Sequence, residues 1–115
     1  MVRIKRVYEK PDSTDGFRVL VDRLWPRGMK KEQAKVDLWM KDVAPSDALR
    51  KSFHHEAMKW PIFERKYQAE LKTKKECLAE LKRLEKEHGA LTLLFGAKDP
   101  EHNQAAILVQ ALMKS

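Results

Sequence analysis

Val19-Leu20-Val21 runs without a break into Asp22-Arg23-Leu24-Trp25-Pro26-Arg27-Gly28. The apolar triplet reads as a buried strand. The acid, the two arginines and the tryptophan therefore stand where that strand leaves the core. In α/β sheets the carboxyl ends of strands open into the crevice where ligands bind. Each guanidinium presents a planar fork of donors, a geometry that suits an anion. The stretch predicts a strand whose far end faces a site.

A second segment supports the same architecture. Leu91, Leu93, Leu94 and Phe95 make an almost continuous apolar run within 90–97, as expected of a strand buried on both faces between helices. The long, mostly helical connection between the two strands can make a right-handed crossover, which places Asp22 and Gly96 at the same edge. The expected fold is α/β: a single compact domain over residues 1–115, with helices packed on a small parallel or mixed sheet.

The remaining punctuation fills in the elements. Residues 2–8 suggest a first strand, possible as an edge. The turn signal of Pro11, Asp12, Ser13, Thr14, Asp15 and Gly16 follows. That turn is shorter than a usual parallel crossover, so local spacing favours a hairpin to the strand at 17–25, with the direction of the first strand left open. Lys30 to Leu38 predicts a short helix and 39–44 an irregular stretch. Ser46 predicts an N-cap for a helix over 47–54. Trp60-Pro61 opens another helix, with Phe63, Tyr67 and Leu71 aligned. A fresh start near Thr73 leads to the stripe Leu78, Leu81, Leu84, which Gly89 ends. Asp99 predicts the cap of a last helix with Ala105, Leu108, Val109 and Leu112 on its core side.

Composition bounds the function. At 115 residues, with ordinary hydrophobic content and few Gly or Pro, disorder is disfavoured. No apolar run approaches the roughly 20 residues of a membrane helix, so no membrane partner is expected. Cys77 stands alone, and the N-terminus lacks the apolar segment of a signal peptide; a cytoplasmic protein fits. The formal charge of +7 raises nucleic acid as an alternative partner. Much of the excess, however, lies between Lys72 and Lys86, where Lys and Arg interleave with Glu as on a solvated helix face.

The candidate chemistry lies in few residues. Arg23 and Arg27 suit a small phosphorylated or carboxylated ligand, with Trp25 as pocket wall. Lys98, His102 and Asn103 cluster at the entrance of the last helix, whose N–H groups favour anions. Asp22 has two readings, a ligand-facing acid or a structural group that pairs a cation or caps a loop N–H. If the pleat continues, Asp22 and Arg23 point to opposite faces. Were the site catalytic, Asp22 or His55 would act as acid/base in hydrolysis or transfer. Adjacent His54 and His55 point about 100° apart on a helix and make a poor metal pair. Ser46 lacks a nucleophile elbow, and no glycine-rich phosphate loop occurs. ATP and nicotinamide chemistry is disfavoured, and the cofactor is left unknown.

Taken as words, Val21 to Gly28, Ala44-Pro45-Ser46, Leu49-Arg50, Phe53, His55, Trp60, Phe63, Tyr67, Glu70-Leu71, Leu91 to Leu94 and Ala97-Lys98-Asp99 resemble the YeaO-like branch of the domain-of-unknown-function 488 proteins. The resemblance covers nearly the whole chain. It implies a compact α/β domain with strands carrying Asp22-Arg23 and Gly96-Ala97, and it assigns no activity. The wider group often ends in a cysteine-rich stretch with a Cys-His-Arg word. Here Gly96-Ala97-Lys98-Asp99 and His102-Asn103-Gln104 stand in its place without cysteine.

Overall fold

Both apolar segments lie side by side in one parallel sheet in the computed structural model, which describes residues 1–53 and 56–114. The strands among the described residues are β1 (Val2–Arg6), β2 (Phe17–Leu20), β3 (Leu38–Trp39) and β4 (Leu91–Phe95). Their order in space is β1-β4-β2-β3. The α-helices are α1 (Lys31–Ala34), α2 (Asp47–Phe53), α3 (Trp60–Leu71), α4 (Lys75–His88) and α5 (Gln104–Lys114). The fold is α/β, and the sheet is parallel throughout.

The alternation of strand side chains explains the unbroken apolar runs. Val19, Val21, Leu91, Leu93 and Phe95 join one core with Phe63, Tyr67, Leu81 and Leu108. Leu20 and Leu94 point the other way, into a smaller core with Val7 and Ala34, against which Trp25 and Trp39 pack. A strand buried on both faces needs no polar alternation. Each such leucine contributes roughly 1.5–3 kcal/mol.

The first turn does not close a hairpin. β1 pairs with β4, from Val2 opposite Leu91 to Arg6 opposite Phe95, so β4 separates it from β2. The connection instead returns to the start of the sheet through a 3₁₀ turn at Ser13–Asp15, capped by Asp12. Asp15 anchors it. Its carboxylate accepts from Lys5 Nζ at 3.2 Å, from the Asp12 N–H at 3.0 Å and from Arg18 Nη1. Arg18 Nη2 and Nε donate to the carbonyls of Ala34 and Lys35, at 2.7 and 3.0 Å. One buried acid and one buried arginine thus tie the turn, β2 and α1 together.

Three other boundaries differ from expectation. β2 ends at Leu20 rather than near Trp25; the Val21 N–H still reaches Leu94 O at 3.0 Å, but the Gly96 N–H donates to the Asp22 carboxylate and not to a ladder carbonyl. α1 stops at Ala34 because Lys35 turns left-handed, at φ 48°, and Asp37 pairs with the Arg18 backbone, drawing Leu38-Trp39 into β3. α5 begins at Gln104, a turn later than expected: Asp99 accepts from the N–H groups of Glu101 and His102, and Asn103 Oδ1 caps the Ala106 N–H at 3.0 Å. Val109 is only partly buried, and Ile107 occupies a core position. Two expected ends are observed. Ser46 Oγ accepts from the Leu49 N–H at 3.2 Å, and Gly89, at φ 79°, closes α4 by donating to Glu85 O.

Candidate functional site

Where β2 and β4 end, their following loops diverge and leave a cavity of about 250 Å³. The segment after β2 contributes Asp22, Arg23, Trp25 and Arg27 to its wall; Gly96, Asn103 and Gln104 come from the segment after β4. α2 and α3 add Arg50, Phe53 and Phe63. Asp22 and Arg23 both border the cavity because the pleat stops at Leu20, so strand alternation no longer separates them.

Asp22 staples the two loops. Its Oδ2 accepts from the Gly96 N–H at 2.8 Å and its Oδ1 from Gln104 Nε2, while its carbonyl accepts from Trp39 Nε1 at 2.7 Å. Gly96 makes the approach possible, since a Cβ there would stand 2.9 Å from Asp22 Oδ2. Burial pushes the carboxyl up to about 6, against the pull of the Gly96 and Gln104 hydrogen bonds and the Arg50 charge.

The arginines differ in how much of each is left over. Arg23 donates from Nε to Pro45 O at 3.2 Å and from Nη2 to Ala44 O at 3.4 Å, so part of it holds the loop before α2. Lys74 Nζ shares the Ala44 carbonyl at 2.8 Å, and the Tyr67 hydroxyl donates to Val43 O at 2.6 Å. Arg27 is exposed, and its carbonyl accepts from the Tyr8 hydroxyl at 2.9 Å. Arg50 Nη2 reaches Asp47 at 3.1 Å, but its buried Nε has no hydrogen-bond partner. An unpaired buried donor costs about 1–3 kcal/mol.

Aromatic groups shape the remaining wall. Phe53 and Phe63 stack at 4.5 Å between centroids, with Trp60 beside them. Trp25 donates its indole N–H to Met29 O at 2.7 Å and meets Trp39 edge-on. The structure does not bring every predicted residue here. Lys98 is exposed and outside the cavity lining. His102 is turned to Asp99, 2.8 Å away, and to the edge of Trp60. Asn103 lines the cavity with both ends of its amide engaged, as α5 cap and as donor to Asp99 O. Of the α5 amides, that of Ala106 is capped by Asn103, and ahead of the helix the Gly96 N–H is taken by Asp22. His55 lies outside the described residues.

Sequence reasoning missed Arg50 and Gln104 as cavity residues. Arg50 stands one helical turn beyond the Ser46 cap, and that position was the available signal; Gln104 followed the Asn103 already singled out.

A family model described as the inactive DUF488-N3 subclade matches residues 1–115. The chain belongs to this DUF488 family. Relatives agree with the match. The uncharacterised protein YeaO of Escherichia coli is 41% identical over 111 residues, covering 96% of both chains. The uncharacterised proteins Mb3100c of Mycobacterium bovis and Rv3073c of Mycobacterium tuberculosis are each 42% identical over 111 residues, covering 96% of this chain and 92% of theirs. No solved structure matches.

Proposed function

We propose that this chain is a binding domain for a small phosphorylated or carboxylated anion, held in the cavity at the carboxyl edge of the sheet without being turned over. The observation that carries the reading is Arg50: a buried guanidinium nitrogen with no hydrogen-bond partner, in a cavity that Arg23 and Arg27 also line. An anion supplies acceptors and a counter-charge for the forked donors of the arginines that line the cavity. Phe53 and Phe63 form an apolar wall that keeps the local dielectric low and strengthens the pairing.

Binding is favoured over hydrolysis or transfer by the state of Asp22. Both of its oxygens already accept hydrogen bonds from the protein, and the description of the family as inactive points the same way.

Titration with sulfate, phosphate and phosphorylated metabolites, followed by calorimetry or amide chemical shifts, tests the reading. Arg50→Gln and Arg27→Gln each weaken binding about tenfold if these side chains carry the contact. No saturable binding of any such anion, or affinity untouched by Arg50→Gln, would sink the proposal. Incubating metabolite pools with wild type and Asp22→Asn tests the absence of turnover: product formed only by the wild type would overturn that part.

A further inference from the structure

On the far side of α3 from the cavity, α3, α4 and α5 enclose an open groove of about 740 Å³. Its floor is apolar, built from Leu71, Leu78, Ile107 and Ala111. The charged residues along it are Arg65, Lys72, Lys75, Lys82 and Lys114, and no acid lines it among the described residues. Of the acids of neighbouring turns, Glu80 and Glu87 pair with Arg83, and Glu70 holds Ser46. Small residues, Ala69 and Ala79, leave the rims low enough for a backbone to approach. Exposed Ile62 extends the same face of α3, three and seven residues before Arg65 and Ala69.

We propose that this groove docks an acidic amphipathic helix of a partner protein, leucine-type side chains on the floor and carboxylates against the basic rim. A helix laid in a groove uses apolar anchors at i, i+3/i+4 and i+7, and a surrounding ring of one charge sign sets which partner is admitted. The same ring opposes a symmetric dimer through this face, since a two-fold contact would set Arg65, Lys72, Lys75 and Lys114 against their own copies. Concavity separates it from a flat membrane-binding surface, and the apolar floor from a purely electrostatic polyanion track.

The test uses a fluorescein-labelled peptide of about 14 residues, with leucines at helical anchor spacing and glutamates elsewhere. Anisotropy should saturate with the full chain. A leucine-to-serine peptide and a glutamate-to-lysine peptide should each bind at least about tenfold more weakly. Ala79→Trp, which fills the groove from an exposed position, and Lys72→Glu/Lys75→Glu should each cost about tenfold or more, with thermal unfolding and sulfate binding unchanged. Gln110→Trp serves as the second groove-filling variant should Ala79→Trp disturb folding. Equal binding of the leucine-free acidic peptide, or undiminished binding by a folded groove-filled variant, would overturn the proposal. Tighter binding of vesicles rich in phosphatidylglycerol or of a duplex oligonucleotide, displacing the peptide, would overturn it in favour of a membrane or nucleic acid.

Discussion

Replacing Asp22 with Asn should flatten one limb of the stability-against-pH curve. The carboxyl ionises near its ordinary 3.8 in the unfolded chain and near 6 in the folded one, because burial disfavours the charge more than Gly96, Gln104 and Arg50 favour it. The folded protein therefore holds the proton more tightly. The associated stabilisation is complete below the unfolded value and is lost as pH rises through the folded one. Between the two limits it amounts to about 3 kcal/mol. From about pH 5 to about pH 7.5 the wild type should lose about 1.4 kcal/mol from this group. In urea that is a fall of roughly 0.5–1.4 M in the unfolding midpoint. Asn keeps an acceptor for the Gly96 N–H and carries no proton to lose, so the difference between the two proteins isolates the effect. Urea titrations at several pH values, read by far-UV circular dichroism, provide the assay. Parallel midpoint-against-pH curves would refute the reasoning, since Asp22 would then ionise alike in the folded and unfolded chains. An anion bound nearby disfavours the ionised form further, so sulfate should bind more tightly at pH 5 than at pH 7.5.

Other consequences follow from named contacts. Asp15 acts in the opposite sense to Asp22: burial alone would raise its carboxyl, but hydrogen bonds from the Asp12 backbone, Lys5 and Arg18 hold it below the usual range, so its contribution is lost as pH falls below about 4. Asp15→Ala leaves Arg18 buried without its counter-charge and should cost about 3–5 kcal/mol in chemical denaturation; a loss within that of an ordinary surface substitution would show the pair to be dispensable. Gly96→Ala forces a Cβ to within 2.9 Å of Asp22 Oδ2 and should lower stability by about 1–3 kcal/mol, seen as a reduced melting temperature. Tyr67→Phe removes the hydroxyl that satisfies Val43 O and should cost about 1–2 kcal/mol, with an unchanged melting temperature counting against that bond.

Local chemistry alone was enough for the element types along most of the chain. Apolar runs at 19–21 and 91–95, the Ser46 cap, the proline after Trp60 and the left-handed glycine at 89 each act within a few residues, so their meaning is visible without a partner. The same holds for the association of Asp22 with Gly96, which followed from the crossover rule. What lay beyond reach depended on residues distant in sequence. The direction of β1 was decided by β4 entering between β1 and β2, a non-local pairing that no turn length reveals. The end of β2 was decided by a side chain, Asp22, taking the Gly96 N–H away from the ladder. Arg18 and Asp15, which read as a strand residue and a turn residue, became a buried ion pair only when α1 closed over them. Arg50 reached the cavity because α2 packs on α3 beside it, and its unpaired Nε exists only in that packing. Propensity and spacing act over one or two turns of chain, whereas burial, hydrogen-bond satisfaction and the ionisation of Asp22 depend on which distant segments exclude water from a group.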